Sequence, residues 1–334
     1  MDFTVAIPTY NGESRLPVIL ERLQLSVTIL KTIEQSHPDL LFDNIKPLAW
    51  EIIVIDNNSS DHTAQVVKEF QSDWFESVPL KYFFEPKQGL AFARQRAVKE
   101  AQGEFIGFLD DDNLPTVDWV KVAYAFGRTH QNAGAYSGQI HGDFEVPPPD
   151  NFHKIQAFLA IREHGYQPYL FEPENLRLPP GAGLVVRKQA WCESIPIRTI
   201  LSGRVGGKMV AGEDYEVLLH MHRAGWKIWY NPQMHIHHLI PRQRLERNYL
   251  LPLARGIGLA TCQLRMINSK KWQKPLVLIR TMLGNLRRVV LHIIKYRWRC
   301  KTDLIAAFEL EFLLGSVLSP FYFLQRSIQD KLWV

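Results

Sequence analysis

An apolar run that ends in three consecutive carboxylates constrains the fold most: Phe105-Ile106-Gly107-Phe108-Leu109-Asp110-Asp111-Asp112-Asn113. The apolar part is typical of a buried strand, and Pro115 prevents its continuation as a central strand because proline has no N–H to donate. Open α/β sheets bind their ligands at the carboxyl ends of the strands. We therefore expect the three aspartates to lie at the ligand-binding edge of a sheet.

Three neighbouring carboxylates repel one another unless a cation lies among them. If the strand alternation continued, Asp110 and Asp112 would point to one side and Asp111 to the other. Such a pair suits a hard divalent cation that carries a diphosphate. A solvated acidic turn explains an acidic trio equally well, so the rest of the chain must decide.

Strands and helices alternate along the first part of the chain, which predicts a parallel, nucleotide-binding sheet. The predicted order is strand 3–7, helix 13–33, strand 51–55, helix 60–70, strand 80–84, helix 89–101 and strand 105–109. No glycine-rich dinucleotide fingerprint follows the first strand and no Walker sequence occurs, which argues against a dehydrogenase and an NTPase.

The second part predicts fewer regular elements. The expected order is helix 117–129, strand 134–140, helix 151–163, strand 181–187, helix 212–222 and strand 226–230. The segment 201–212 carries four glycines and predicts a mobile loop that closes over a phosphate-bearing ligand. After Pro232, strand alternation places His238 on one face and His237 on the other.

Five ordered motifs and a late histidine resemble the family 2 glycosyltransferases of GT-A fold over residues 3–245, and bacterial enzymes of exopolysaccharide assembly in particular. The motifs are Pro8-Thr9-Tyr10-Asn11, Asp56, Gly89 with Arg94, Asp110-Asp111-Asp112 and Gly212-Glu213-Asp214. The family's second acid after the base-contacting aspartate is Asn57 here. No Gln-x-x-Arg-Trp sequence occurs, which favours single-sugar transfer over processive polymerisation.

The resemblance implies a role for each matched residue. Pro8, Thr9 and Tyr10 would line the nucleotide pocket, Asp56 would bind the base, and Arg94 would lie by the diphosphate. Asp110 would face the ribose with Asp111 beside it, and Asp112 would bind Mn²⁺ or Mg²⁺. Asp214 would be the catalytic base, and His238 or His237 would lie near the metal. Further candidates are Glu13, Gly89, Glu213, His237 and Arg204. Acids in a first helical turn are also favoured by the helix dipole, so the Glu213-Asp214 pair could simply cap its helix.

The resemblance implies a GT-A domain, 1–245, and the charge distribution sets apart a helical C-terminal region, 246–334. The domain would consist of a nucleotide-sugar half, 1–115, and an acceptor half, 116–245. Residues 247–301 contain 13 Lys and Arg and no acid, so the net charge of +5 leaves −8 for the remainder. Leu276 to Lys295 resembles an interfacial helix with a basic stripe on anionic lipid, although a core helix with a solvated basic stripe is the alternative. Phe312 to Leu324 is too short to span a bilayer.

The sequence thus predicts an inverting, metal-dependent glycosyltransferase. It would move a sugar from a nucleoside diphosphate sugar, with a UDP-sugar expected, to a glycan or lipid-linked acceptor. Three scattered cysteines and no signal sequence indicate a cytoplasmic protein. The basic, apolar helix would place it on the inner face of the plasma membrane, and its basic residues, separated by aliphatic rather than stacking aromatic residues, predict no nucleic-acid partner. The alternatives are a catalytically silent nucleotide-sugar-binding scaffold and a glycoside hydrolase that uses Asp112 and Asp214 as its acid pair.

Overall fold

A computed structural model describes residues 1–36, 48–196, 201, 203 and 209–332. Its strands are β1 (Phe3–Thr9), β2 (Trp50–Asp56), β3 (Leu80–Phe84), β4 (Phe105–Phe108), β5 (Asn113–Pro115), β6 (Ala133–Phe144), β7 (Tyr169–Leu170), β8 (Val185–Arg187) and β9 (Lys227–Ile240). Its helices are α1 (Leu16–Ser36), α2 (Thr63–Ser72), α3 (Leu90–Glu100), α4 (Trp119–Thr129), α5 (Lys188–Ser194), α6 (Glu213–Arg223), α7 (Arg247–Ile267), α8 (Lys274–Tyr296), α9 (Arg299–Thr302) and α10 (Leu304–Leu332).

The strands form one mixed sheet in the order β3-β2-β1-β4-β8-β6-β9-β5, with β7 paired to β9. The first four positions are all parallel, as the alternation of strands and helices predicts. Strand β8 runs antiparallel to β4 and to β6, and β6 is parallel to β9. Strand β5, which contains Pro115, lies at the edge of the sheet, where a missing N–H costs no ladder hydrogen bond.

Helices cover both faces of the sheet, because alternate residues of the buried strands point to opposite sides. In β1, Val5 and Ile7 pack in a core with α1, α2 and α4. Ala6, between them, belongs to a second core with α3, α5 and α6, which Leu264 of α7 joins. The sheet is thus the middle layer of three.

The C-terminal helices pack on this body through a third core. It joins Leu159 and the end of β9 to α7 and to Phe308 of α10. Helices α7 and α10 approach closely, because a Cβ at Gly258 would meet the backbone of Phe312 and a Cβ at Gly315 would meet that of Arg255. The glycines of α7 and α10 are therefore contact residues.

Three local expectations are wrong. Residues 151–163 form two 3₁₀ turns, Phe152–Lys154 and Gln156–Leu159, because Asn151 and Ala160 have left-handed backbone conformations that break a helix. Strand β9 continues through Pro232 to Ile240. The apolar C-terminal segment is longer than predicted, since α10 continues through Pro320 as a single helix.

Candidate active site

The carboxyl ends of β1 and β2 and the turn after β4 border a cavity of about 900 Å³. Thr9 pairs with Asp56 in register, so β1 and β2 end at the same level of the sheet. The opposite part of the cavity wall comes from the N-terminus of α6 and from α7. Among the predicted site residues, the lining includes Pro8, Thr9, Tyr10, Gly89, Asp110, Asp111, Asp112, Glu213, Asp214 and His238. The aspartates do lie at the ligand edge, as predicted.

Asp111 is held by Arg15 and Thr9. The Arg15 guanidinium contacts both of its oxygens, with Nε 2.8 Å from Oδ1 and Nη2 2.9 Å from Oδ2. The hydroxyl of Thr9 donates to Oδ2 at 2.6 Å. Burial nevertheless raises the pKa of Asp111, which Arg15 and Thr9 only partly offset. With its oxygens used internally, Asp111 fixes the floor of the cavity.

Asp110 and Asp214 share Arg94. The guanidinium Nη2 lies 3.4 Å from Asp110 Oδ1, and Nη1 forms an ion pair with Asp214 Oδ1. The other oxygen of Asp214 accepts the Gly181 N–H at 3.0 Å. A Cβ at Gly181 would collide with both Arg94 and Asp214, so the glycine makes room for this pair rather than for a ligand. Arg94 is thus a positioning partner of Asp214.

Asp112 and His238 come together through strand pairing. Asn113 lies opposite His238 in the β5–β9 ladder, and the Leu239 N–H donates to the Asp112 carbonyl at 2.9 Å. His238 Nδ1 donates to the Leu159 carbonyl oxygen at 2.9 Å, and Nε2 faces the carboxylate, 3.5 Å from Asp112 Oδ2.

A third arginine completes this corner. Arg244, from the 3₁₀ turn Arg242–Leu245, places Nη1 2.8 Å from Asp112 Oδ2 and 3.1 Å from His238 Nε2. Burial would raise the pKa of Asp112, but His238 and Arg244 outweigh it and hold that pKa well below its ordinary value. Asp112 is therefore ionised throughout the physiological pH range.

The aspartate trio differs from the expectation in two respects. Strand β4 ends at Phe108, so the acids lie in a turn and do not alternate as in a strand. Their repulsion is balanced by arginines, with Arg94 at Asp110, Arg15 at Asp111 and Arg244 at Asp112. A metal ion is not needed to hold the turn together.

Asp112 and His238 nevertheless fit a divalent cation. A carboxylate oxygen is an ordinary ligand of both Mn²⁺ and Mg²⁺, whereas an imidazole nitrogen suits a transition-metal ion and so favours Mn²⁺ over Mg²⁺. Within the described residues no group of three or more His, Cys, Asp or Glu side chains could hold an ion by itself. Further ligands would have to come from a diphosphate and water, which is the usual way Mg²⁺ is bound beside phosphates.

Asp56 is buried and does not line the cavity. Its oxygens accept the Ser59 N–H at 2.9 Å and the Tyr82 hydroxyl at 2.6 Å. The neighbouring Asn57 reaches the lining instead, and its Oδ1 accepts the Gly89 N–H at 2.7 Å. Gly89 has a φ of 135°, which only glycine adopts without strain, and it opens α3 at the cavity. The base-binding role of Asp56 stays a prediction.

The remaining predicted site residues differ in where they lie relative to the cavity. Glu13 lies on the surface, where it accepts the His62 N–H at 2.8 Å. Glu213 lines the cavity, and its carboxylate accepts the N–H of Gly212, the residue before its own helix, at 2.9 Å. His237 is exposed on the face of β9 opposite His238, near His141. Arg204 and half of the predicted glycine-rich loop, 201–212, lie outside the described residues.

Sequence reasoning missed Arg15, Arg244 and the role of Gly181. Arg15 contacts an acid 96 positions away, and no local pattern indicates such a partner. Arg244 had a weak signal, a basic run directly after the strand of the late histidine. Gly181 accommodates the Arg94–Asp214 ion pair, and no local sequence pattern indicates that role.

Comparison with known sequences decides the family. The model of the family described as "Glycosyl transferase family 2" matches residues 4–182, more than half of the chain. The chain belongs to this family. The matched region includes Arg94 and the aspartate trio and ends just before β8.

Family 2 relatives share 28% and 31% identity over parts of the chain. The poly(ribitol-phosphate) β-N-acetylglucosaminyltransferase TarS of Staphylococcus aureus is 28% identical over 132 residues, which are 40% of this chain and 20% of TarS. The UDP-Glc:α-D-GlcNAc-diphosphoundecaprenol β-1,3-glucosyltransferase WfgD of Escherichia coli is 31% identical over 115 residues, 34% of this chain and 36% of WfgD. The chain spans about half or less of the length of the curated relatives it matches.

The fold is GT-A. The mannosyltransferase PcManGT of Pyrobaculum calidifontis, solved in complex with GDP-Man and Mn²⁺, superposes with a TM-score of 0.56. The match covers 96% of this chain and 86% of PcManGT at 15% sequence identity. At this identity the likeness concerns the fold alone, which confirms the fold expected for this family 2 member.

Proposed function

We propose that the protein is an inverting, divalent-cation-dependent glycosyltransferase. It moves one sugar from a nucleoside diphosphate sugar, a UDP-sugar, to a glycan or lipid-linked acceptor in bacterial exopolysaccharide assembly. The observation that carries the proposal is that Asp112, His238 and Asp214 line one cavity of a family 2 chain. That arrangement puts a candidate diphosphate site and a candidate base within one enclosed volume.

The donor binds on the side of β1 and β4. Pro8 and Tyr10 line the cavity there, and the half-exposed Tyr10 ring offers a flat surface to a nucleotide base. A divalent cation, held by Asp112 and His238, would neutralise the charge of the leaving nucleoside diphosphate. Mn²⁺ and GDP-Man are the ligands of PcManGT, and its GT-A fold is the one described here.

Asp214 is the proposed base for the acceptor hydroxyl. Its side chain is 18% exposed, and Arg94 and the Gly181 N–H each use one lone pair on its two oxygens. A carboxylate has about four lone-pair sites, so Asp214 can still accept the proton of the acceptor hydroxyl while the hydroxyl oxygen attacks the anomeric carbon. Attack from the face opposite the leaving diphosphate inverts that carbon.

The acceptor side of the cavity is largely apolar. Tyr249, the 3₁₀ turns before Arg162 and the helices α7 and α10 supply it. Its apolar lining residues are Phe158, Leu159, Leu253, Ile257, Leu264 and Phe312. A free polysaccharide does not need such a wall, whereas the lipid part of a lipid-linked sugar does. WfgD is named for a diphosphoundecaprenol acceptor, which supports this choice.

Helix α8 supports a membrane partner because its polarity is reversed. Its buried positions are Thr281, Asn285, Val289 and His292, mostly polar. Its exposed positions include large apolar residues that are about half exposed: Leu276, Ile279, Leu283, Leu286, Val290, Leu291, Ile293 and Ile294. A helix packed only in a protein core would show the opposite arrangement.

The exposed face of α8 also carries charge. Arg280, Arg287, Arg288 and Lys295 lie on it, and Trp272 and Trp298 flank the helix at 73% and 81% exposure. Apolar residues with basic and tryptophan neighbours match the interface of an anionic bilayer. We propose a peripheral position on the inner face of the plasma membrane, with α8 as the contact surface.

Helix α10 bears on the same question. Among the described residues, Leu304–Arg326 forms one helix that is long and apolar enough to cross a membrane, with 23 residues and a mean hydropathy of 1.6. Only the length and composition of the segment support a membrane span, and 44% of its apolar stretch is buried inside the protein. Since α10 packs against α7 and forms part of the cavity wall, we propose that it stays with the protein.

A donor screen tests the proposed function. The protein would be mixed with UDP- and GDP-sugars in Mn²⁺ or in excess chelator, with free saccharides or diphospholipid-linked sugars as acceptors. We expect metal-dependent transfer from a UDP-sugar to the lipid-linked acceptor, with an inverted anomeric carbon by NMR. Stabilisation by UDP and Mn²⁺ without transfer to any acceptor would instead support the scaffold hypothesis.

A further inference from the structure

One nitrogen atom contacts both groups that would hold the cation. Arg244 Nη1 lies 2.8 Å from Asp112 Oδ2 and 3.1 Å from His238 Nε2. His238 Nδ1 is already committed to the Leu159 carbonyl, so Nε2 is the only ring nitrogen left for a metal ion. The guanidinium therefore uses the two atoms that a metal ion would need.

A metal ion and this arginine contact exclude each other. Carboxylate and imidazole ligands bind divalent ions at about 2.0–2.3 Å, so an ion on these two atoms would overlap the space of Nη1. The metal cation and the Arg244 guanidinium are both positively charged, and their repulsion is strong at a buried position. Either Arg244 or the cation can occupy the pair.

The other two arginines of the site are arranged differently. Arg15 holds Asp111 with two nitrogens, and Arg94 joins Asp110 to Asp214. Neither Arg15 nor Arg94 forms a hydrogen bond or ion pair with His238. Of these three arginines, only Arg244 contacts both candidate metal ligands, Asp112 and His238.

Arg244 is anchored so that its side chain can leave. Its backbone N–H donates to the Pro241 carbonyl at 2.9 Å, and the next residue, Leu245, is buried. The side chain itself is 26% exposed and lines the cavity. The turn stays fixed while the guanidinium has cavity volume to move into.

We propose that Arg244 is a resident cation that a metal–nucleotide complex displaces. This inference rests on the proposed function. Without donor, Arg244 neutralises Asp112 and blocks free metal. When a nucleoside diphosphate brings the metal, the diphosphate also offers the displaced guanidinium a new anionic partner. Metal and nucleotide therefore bind with positive coupling, each raising the affinity for the other by the same factor.

Mn²⁺ titration of the whole chain, with free Mn²⁺ measured by electron paramagnetic resonance, tests the exchange. Arg244→Met keeps the aliphatic stem but removes the charge and the donors. We expect it to bind Mn²⁺ without nucleotide about 10- to 100-fold more tightly than the wild type, the effect of releasing a charge-assisted hydrogen bond. Adding UDP or GDP should strengthen Mn²⁺ binding more in the wild type than in Arg244→Met, because in the variant the diphosphate adds metal ligands but displaces no guanidinium.

Two further variants control the experiment. Arg242→Met removes a charge from the same turn, but that side chain is 75% exposed and its Nε lies 3.9 Å from Glu246, so it should titrate like the wild type. Arg244→Lys keeps a cation and should restore weak binding of free Mn²⁺. If Arg244→Met does not fold, Arg244→Gln, which also removes the charge, is titrated in its place and should bind free Mn²⁺ more tightly than the wild type.

The outcomes are distinguishable. If Arg244→Met binds free Mn²⁺ no more tightly than the wild type, while UDP or GDP still recruits Mn²⁺, the exchange is wrong and the proposed function stands. If no form binds Mn²⁺ with or without nucleotide, the cation site fails and the exchange fails with it. If Arg242→Met behaves like Arg244→Met, the effect is general electrostatics, which also overturns the proposal.

Discussion

The ligand edge of the sheet and helix α8 treat charge in opposite ways. At the sheet edge each acid of the trio has an arginine within the protein. On α8 the basic residues are exposed, and the sequence from 247 to 301 contains no acid to neutralise them. The first region is balanced from within, whereas the second is complementary to an anionic surface outside the chain.

Apolar residues show the same contrast. The strands that carry the site bury their side chains, as in β1 and β2, where every residue is buried. Helix α8 buries Thr281 and Asn285 and exposes leucines such as Leu283 and Leu286. The sheet edge is therefore suited to a small ligand, whereas the exposed face of α8 is suited to a large apolar and anionic partner.

The largest expected effect is at the sheet edge. Asp214→Asn should lower transfer by about 10²- to 10⁴-fold, because a positioned proton acceptor contributes that much. Donor binding should persist, since Asp214 is not one of the proposed cation ligands. Rates of sugar transfer and the affinity for UDP with Mn²⁺ would be measured on the same preparation.

Asp73→Asn is the matched control for Asp214→Asn. Asp73 is exposed after α2 and does not line the cavity, so its loss should change neither transfer nor donor binding. A joint collapse of donor affinity and transfer in Asp214→Asn would instead make Asp214 a binding or capping residue.

The next effect concerns the apolar face of α8. Replacing Leu283 and Leu286 together by Gln should weaken binding to anionic vesicles by roughly 10- to 100-fold, because burying each leucine fully is worth about 1.5–3 kcal/mol and each is already half buried. Co-sedimentation at fixed lipid concentration measures this. The loss should persist at high salt, since apolar insertion is not screened.

Val18→Gln with Leu25→Gln makes the corresponding change on α1. These residues are 42% and 45% exposed, close to the exposure of the α8 leucines. Vesicle binding should be unchanged in this pair. An equal loss from both pairs would mean that α8 is an ordinary solvated surface.

A smaller effect tests how tightly the sheet edge is packed. Gly181→Ala adds a methyl group where Arg94 and Asp214 leave no space, so it should lower transfer by roughly tenfold and the free energy of unfolding by about 1–3 kcal/mol. Gly165→Ala, which meets open space, should change neither. Wild-type rates in Gly181→Ala would show that the Arg94–Asp214 pair can shift freely.

Local periodicity accounts for what the sequence predicted correctly. The buried runs before Thr9, Asp56 and Asp110 are continuous and apolar, so strands β1, β2 and β4 and the site edge could be located. The alternation after Pro232 likewise placed His238 and His237 on opposite faces of the strand. These features depend only on neighbours in sequence.

What could not be predicted depends on distant contacts. Nothing near Asp111 or Asp112 in sequence indicates that Arg15 and Arg244, 96 and 132 positions away, will neutralise them. The predicted apolar segment, Phe312 to Leu324, is shorter than α10, in which Gly315 allows the close approach of α7. Residues that break helices in isolation can be contact residues when a neighbouring helix is present.

The smallest expected effect separates the charge of α8 from its apolar face. Arg287→Gln should weaken binding to anionic vesicles by about fivefold at low salt, since one basic residue near such a surface contributes about 1 kcal/mol. The difference from the wild type should shrink as salt rises, because charges are screened within about 10 Å at 0.1 M. Lys68→Gln, an exposed cation on α2, should leave binding unchanged at every salt concentration. If Arg287→Gln and the wild type coincide at low salt, the basic stripe of α8 makes no contact with the lipid, and the apolar face alone carries the membrane proposal.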